Sequence, residues 1–288
     1  MKKYFLFLVI LAAPLSSFAA ISLDNTSSAG AACFNTSSCS FQHTISAANE
    51  IIVVSVGQNT LSSANPISAI TYAGQAMTLV AHVNNPNGSN NYAVEMYYLV
   101  NPPIGQNTTS ITFSTTAYGN AGAASFSGVN TTTPISVNNT ASGESGNPTR
   151  SLTTTQENQR VVDAVHQDGA PTNLTAGSSQ TETLNLTNAG QTTGASYKDA
   201  TATSSVIMSW TSSAGNDWVS IAAALVPIVE AGGETPSGTS TLSENAFSET
   251  CETNGTTTIC YKPLNAFLGY TAIVSLFGFI IYLAAKLI

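Results

Sequence analysis

Charge is what this chain has least of: 8% of its 288 residues are Asp, Glu, Lys or Arg, and seven of those are basic. Lys2 and Lys3 stand at the N-terminus and Lys286 at the other end. The stretch between keeps Arg150, Arg160, Lys198 and Lys262 against all 15 acids, a net of about −11. That balance excludes nucleic acid and anionic membrane surfaces as partners, since neither meets a cationic patch that would release its counterions. Histidine is equally scarce. His43, His82 and His166 fall in no HxxxH or HExxH arrangement, so a zinc hydrolase has no support. A G-x-S-x-G elbow is missing, and Ser145 in Gly143-Glu144-Ser145-Gly146 reads as a loop serine. Leu, Glu, Lys and Arg are too few for long soluble helices, while Ser, Thr, Asn, Gly and Ala fill the spaces between apolar residues, as suits an exported β-protein.

The four cysteines lie in two close pairs, Cys33 with Cys39 and Cys251 with Cys260. Without CxxC spacing they read as structural staples rather than a zinc ribbon or a redox pair, and local bridges are the simplest of three connectivities. Each bridge closes a short loop and removes roughly 2 to 3 kcal/mol of unfolded-state entropy.

Long apolar runs occur at the two ends. Met1-Lys2-Lys3, the apolar stretch Tyr4 to Pro14 and the small-residue pattern Ser17-Phe18-Ala19 make a secretory signal peptide over residues 1–19, cleaved near Ala19 or Ala20; its apolar core is too short for an uncleaved anchor. Leu264 to Ala285 carries no charge over 22 residues. As a helix it spans about 33 Å, enough for a ~30 Å hydrocarbon core. Pro263 bars the helix from extending backward, and Lys286 follows the span. The competing reading, a cleaved lipid-anchor tail, fits poorly with that length and the terminal lysine. A transmembrane helix over residues 263–285 puts the N-terminus outside, leaves residues 286–288 as a cytoplasmic tail, and makes this a single-pass protein of the cell envelope or cell surface. Gly269 and Gly278 are not at GxxxG spacing, so homo-oligomerisation through them is open.

Between the ends, apolar runs recur among turn clusters: Glu50 to Val56, Ile67 to Tyr72, Met77 to Val83, Tyr92 to Val100, Ser110 to Ser114, Ala121 to Val129, Gln159 to His166, Thr181 to Thr187, Ser204 to Thr211 and Trp218 to Val226. Many short strands with turns at this spacing predict an all-β fold, an antiparallel β-sandwich of jelly-roll kind over residues 20–228. In Tyr92 to Val100 the face of Tyr92, Val94, Met96, Tyr98 and Val100 is expected to meet the core. Ile111 to Val129 loosely echoes Ile207 to Val226, each a strand, a Gly-Asn turn and an Ala/Ser-rich strand; shared β-composition is the preferred account of the echo. Residues 229–262 break the pattern. Their acids in a Gly/Ser/Thr/Pro background read as a flexible acidic stalk, with Cys251 and Cys260 stapling a small hairpin around Asn254-Gly255.

The phrases Ile70 to Val80, Val94-Glu95-Met96-Tyr97-Tyr98-Leu99-Val100-Asn101-Pro102-Pro103, Ser125-Phe126-Ser127-Gly128-Val129 and Trp218 to Pro227 together resemble an uncharacterised secreted β-sandwich domain of bacterial and phage-related surface proteins. The resemblance covers roughly residues 40 to 228 and implies a secreted sandwich with no assigned activity.

Site chemistry is sparse. In Asp163-Ala164-Val165-His166-Gln167-Asp168, His166 and Asp168 share a strand face and Asp163 takes the other, so three ligands do not converge without a bend. Glu50 and Glu95 are candidate paired carboxylates for a carbohydrate-active enzyme, at a separation no sequence reveals. Asn216-Asp217 and the Asn84 to Asn91 loop offer hard oxygens for calcium, without the Asp-rich spacing of a dedicated loop, so no cofactor is assigned. Tyr97, Tyr118 and Trp218 are the candidate ligand contacts, by stacking on a sugar ring or anchoring a protein, although large aromatics in a sandwich are usually core. The reading is a membrane-anchored, surface-displayed, non-catalytic binding module for adhesion to a glycan or protein ligand. The alternatives are a structural or host-adsorption subunit of a membrane-assembled virion, whose filamentous-phage attachment proteins this layout resembles, and a carbohydrate-active enzyme.

Overall fold

The computed structural model describes residues 17–230 and 250–261, apart from residues 49, 61–66, 86–90, 170–172, 189, 214, 255 and 256. The chain divides into two units, Met1–Gly232 and Gly233–Ile288. In the first unit the strands are β1 (Ser17–Phe18), β2 (Ser22–Ser28), β3 (Phe34–Ile45), β4 (Glu50–Thr60), β5 (Ile67–Tyr72), β6 (Gln75–Ala76), β7 (Thr78–Asn84), β8 (Asn91–Val100) and the 23-residue β9 (Gly105–Ser127). They continue as β10 (Ile135–Gly143), β11 (Thr149–Thr153), β12 (Gln159–Asp168), β13 (Leu174–Ala176), β14 (Thr181–Asn188), β15 (Gln191–Ala200), β16 (Ser205–Ser212), β17 (Trp218–Leu225) and β18 (Val229–Glu230). Every named pairing is antiparallel. The result is an all-β, sandwich-like fold, and one 3-10 turn, Gly30–Cys33, interrupts it.

The second unit contributes a hairpin of β19 (Thr250–Asn254) and β20 (Thr257–Tyr261), in which Cys251 stands directly opposite Cys260. Leu264 to Ala285 and the N-terminal apolar stretch lie outside the described residues. Among the described residues no helix is long and apolar enough to cross a membrane.

Strand order in the first unit repeats. The C-terminal part of β9 lies between β2 and β4, giving β2-β9-β4-β8-β7, while its N-terminal part lies between β3 and β5. The later strands form β10-β17-β12-β15-β14 and β11-β16-β13. Reading β10 for β2, β11 for β3, β12 for β4, β13 for β5, β14 for β7, β15 for β8, and β16 with β17 for the two parts of β9 makes the two paths identical. The echo between Ile111 to Val129 and Ile207 to Val226 is therefore a structural repeat, and shared composition is set aside as its cause.

The two halves stack through their five-stranded sheets. Ile52, Val54 and Val56 of β4 enter the first half's own core with Ile111, Phe113 and Tyr72. Ile51 and Val53 point the other way, onto Val162 and Ala164 of β12 and Val219, Ile221 and Leu225 of β17, in a core shared by both halves. Beyond the second five-stranded sheet, Val161, Met208 and Ala224 form one cluster and Val165, Trp210 and Trp218 another. A sheet covered on both sides buries both strand faces. This corrects the one-faced reading of Tyr92 to Val100: Tyr92, Val94 and Met96 join the shared core, and Tyr97 and Leu99 join the first half's core.

The repeat registers on itself when Ile51–Asn59 is laid on Arg160–Asp168, because this matches the residues facing each half's own core. Two matched pairs then touch. Asn59 donates to Asp168 at 2.9 Å, and Gly57 lies against His166, where an added Cβ would sit 2.3 Å from the ring. Contacts between equivalent positions are what an approximate two-fold axis produces. Glycine at position 57 makes room for the imidazole.

Cys33 and Cys39 are bridged, with Cα atoms 4.9 Å apart, tying the 3-10 turn to the start of β3. Ser17 and Phe18 pair with Glu230 and Val229, so the chain enters and leaves this unit at one end.

Candidate functional site

The opposite end carries an open polar cavity of about 320 Å³, lined by Tyr92, Glu144, Asp168, Gly169, Gly215, Asn216 and Asp217. Strand ends deliver each group. β12 ends on Asp168, β8 opens on Tyr92 one residue in, Glu144 follows β10, and residues 215–217 form the corner between β16 and β17. Because Tyr92 comes from β8 of the first half and the other lining residues come from the second, the cavity sits where the halves meet, a common place for small-molecule sites.

The corner is held from below. Ser212 Oγ donates to Gln167 Oε1 at 2.8 Å, Gln167 Nε2 donates to the Asn216 carbonyl at 2.9 Å, and Gly146 N–H reaches the Gly215 carbonyl at 3.3 Å. Gly169 has φ 122°, and a Cβ there would stand 2.3 Å from Asn216 Nδ2, so the side chain of Asn216 owes its position to this glycine.

Electrostatically the cavity is acidic. No cationic side chain among the described residues lines it. Burial raises the Asp168 carboxyl above its ordinary range and the Asp217 charge adds to that, against hydrogen bonds from Gly169 N–H and Asn59 that favour the carboxylate. The Tyr92 hydroxyl is pushed far up, first by burial, then by Asp217 and Asp168. Tyr92 is fully buried, and although Asp217 is near enough to act on it, no hydrogen bond of normal geometry closes on its oxygen. The Asn216 amide nitrogen is likewise buried without a partner.

The symmetry-related corner of the first half is closed. There β9 runs unbroken through Gly119 and Asn120, and Asn120 donates to the Gln191 carbonyl at 3.2 Å. Asn188 donates both to Asn120 Oδ1 at 2.7 Å and to the Gly30 carbonyl at 3.0 Å. Amide groups there satisfy one another, whereas the open corner presents three carboxylates to solvent.

The residues singled out from sequence do not converge. Tyr97 is buried, and its hydroxyl donates to Glu95 Oε2 at 2.5 Å. Trp218 is buried against Gly143, its indole N–H on the Ser145 carbonyl at 3.3 Å. Tyr118 is half-buried beside Phe34, ring centroids 5.0 Å apart. Tyr97 and Trp218 thus serve as core, and their burial leaves no open stacking face. Asp163 accepts from Trp210 Nε1 at 2.8 Å and from Ser196 N and Oγ at 3.0 and 2.6 Å, on the face away from His166. His166 meets Thr193 Oγ1 at 2.8 Å, and burial holds it neutral with a pKa of about 3.

Glu50 lies near Asp24 rather than Glu95, and burial followed by the Asp24 charge pushes it up to about 7. Glu95 instead receives Gln58 Nε2 at 3.2 Å and lies 3.2 Å from His82 Nδ1. His43 bridges Ser27 and Ser125, at 2.8 and 3.0 Å, and Asp24 accepts from Ser125. The carboxylate there holds the serine rather than the imidazole, so the contacts form a half-buried strut and not a charge-relay order. Among the described residues no group of three or more His, Cys, Asp or Glu side chains is spaced to hold a metal ion. The Asn84 to Asn91 loop falls largely outside the described residues.

Sequence reading noted Asn216-Asp217 and Asp168 separately and missed Tyr92 and Glu144. Tyr92 opens an apolar strand and reads as core. Glu144 stood next to the serine that drew attention. No known family model, curated protein or solved structure matches the chain.

Proposed function

We propose that this chain is an exported recognition protein, anchored by the apolar segment Leu264 to Ala285 and displaying the cavity end of its β-unit outward. The observation that carries the reading is placement. β17 starts at the cavity and runs eight residues to Leu225, after which the chain leaves toward the stalk. At about 3.3 Å per residue this sets the cavity roughly 25 Å from the exit. A tether at one end and an open polar cavity at the other is the layout expected of a module that meets a ligand away from its membrane.

Each half is a jelly-roll variant, its fifth strand added to the larger sheet's edge, and the family likeness to secreted surface sandwiches accords with that path. Cleavage near Ala19 or Ala20 removes β1, so the β1–β18 pair belongs to the uncleaved chain. The module is read as non-catalytic because its buried histidines are engaged with hydroxyl groups of the core rather than placed at the cavity.

The test is binding of the full-length chain to envelope fractions of candidate host cells, together with N-terminal sequencing of the exported form. Saturable binding and a start at Ala20 or Ile21 are expected. Binding that never saturates on any fraction sinks the recognition reading and leaves the virion-subunit alternative, in which the partners are neighbouring copies.

A further inference from the structure

We propose that the cavity bounded by Tyr92, Glu144, Asp168, Asn216 and Asp217 takes a single uncharged sugar ring through its hydroxyls and rejects acidic sugars. This rests on the recognition reading and names the ligand class for that site.

Three observations converge. A cavity of about 320 Å³ falls at the small end of the roughly 300–1,000 Å³ typical of small-molecule pockets, far larger than one ion needs. The carboxylates of Glu144, Asp168 and Asp217 supply acceptors from two loops and a strand end, and they lack the spacing of a metal cage. Alongside them stand two donors, the Tyr92 hydroxyl, fully buried beside Asp217 without a hydrogen bond of normal geometry, and the Asn216 amide N–H, buried without a partner.

The ligand has to answer both sets. A bare cation satisfies carboxylates and offers the amide nothing. An alkylammonium has the same defect, since it carries donors alone. A hydroxyl donates and accepts, so adjacent ring hydroxyls give protons to the carboxylates while their lone pairs receive Asn216 Nδ2 and the tyrosine O–H. Buried donors left without acceptors are costly, and a ligand that supplies the acceptors gains by relieving them.

An acidic sugar brings a negative charge against three carboxylates with no lysine or arginine lining the cavity among the described residues, so it is repelled. No aromatic ring face is open in the cavity, so a single ring binds weakly, at about millimolar Kd, and repeated presentation on a surface multiplies it.

The test uses the full-length chain in a sugar-free detergent, with ligand-observed saturation-transfer NMR. The probes are glucose, galactose, mannose and N-acetylglucosamine, set against glucuronic acid and N-acetylneuraminic acid. At least one neutral sugar is expected to bind and neither acid to do so. Asp217→Asn and Glu144→Gln should each weaken binding about tenfold, Tyr92→Phe several-fold, and chelator should change nothing. Thermal melts of the variants exclude misfolding as the cause.

The proposal is overturned if no neutral sugar binds, if the acids bind equally, if chelator abolishes binding, or if the cavity variants bind like the wild type. Variants that lose neutral-sugar binding yet still bind envelope fractions uphold the cavity and place further contacts elsewhere. A chain that binds envelope fractions but no sugar keeps the recognition reading and loses this one. Sugar binding lost in Asp217→Asn, without any envelope binding, does the reverse.

Discussion

The two halves follow one strand path and differ at one corner. In the first, β9 runs 23 residues through Gly119 and Asn120, and the amides of Asn120 and Asn188 close the space beside it. In the second, the path breaks between β16 and β17 at residues 215–217, and carboxylates line the opening beside a buried tyrosine hydroxyl and an amide N–H that has no partner. The lesson is that duplication supplies a scaffold twice and need keep it sealed once. The closed corner is held by amide hydrogen bonds, and the open one is lined by carboxylates.

The contrast is broken most severely at the seam. Gly57→Ala places a Cβ within 2.2 Å of Thr193 Oγ1 and 2.3 Å of the His166 ring, with two sheets already packed around it. Overpacking of this kind should cost about 3 kcal/mol. Chemical denaturation should show one shared transition moving to lower denaturant. A portion of the signal staying at the wild-type midpoint would mean that the halves fold independently.

Next comes the second half's polar core. Asp163→Asn keeps the shape but gives up one acceptor oxygen among three incoming donors, from Trp210 and Ser196. The orphaned donor should cost about 2 kcal/mol by thermal or urea melting. An unchanged midpoint would show the carboxyl to be dispensable there.

The corners themselves give a paired test. Asn120→Ala unplugs the closed corner and should lose about 1 kcal/mol, since its partners are the buried Gln191 carbonyl and Asn188. Asp217→Asn at the open corner should leave stability within about 0.5 kcal/mol or raise it, because it removes a charge that opposes Asp168. Equal losses at both would erase the difference between a sealed and an open corner.

The last effect shows only when pH is varied. Burial lowers His43 to about 4 and His166 to about 3, so their unfolded forms take up protons below pH 6.5 that the folded forms refuse, and stability falls on acidification. Burial raises Glu50 to about 7 and Asp163 to about 6, so the folded forms hold protons that the unfolded forms release, and stability rises on acidification. Between about pH 4.5 and 6.5 these four groups nearly cancel. Glu50→Gln removes one compensating proton. Its midpoint should therefore drop on acidification across that window, at about 1.4 kcal/mol per pH unit, while the wild type stays nearly flat.

Legibility followed the local pattern. Runs such as Gln159 to His166 and Trp218 to Val226 announced their strands because β-branched and aromatic residues cluster there. Gln191–Ala200 carries no apolar run that announces a strand, yet residues 191–196 are buried. Its Thr193 and Ser196 answer His166 and Asp163, side chains brought by a different strand, so no local apolar signal exists to read. Phe34–Ile45 was hidden likewise by its alternating polar residues. Ser110 to Ser114 and Ala121 to Val129 were read apart because exposed Thr115 and Thr116 separate them on one continuous strand. The site was legible only in pieces, since the meeting of Tyr92 with Asp217 depends on how two halves stack.

β17 runs between β10 and β12, bonded along its length on both sides. Antiparallel bonds lie perpendicular to the strands. A pull on the chain beyond Leu225, resisted by something gripped at Glu144 and Asp168, where the neighbouring β10 and β12 end, therefore loads those bonds together in shear instead of peeling them one after another. On the proposed reading of a tethered recognition module, that loading would resist detachment by flow, with β17 clamped on both sides.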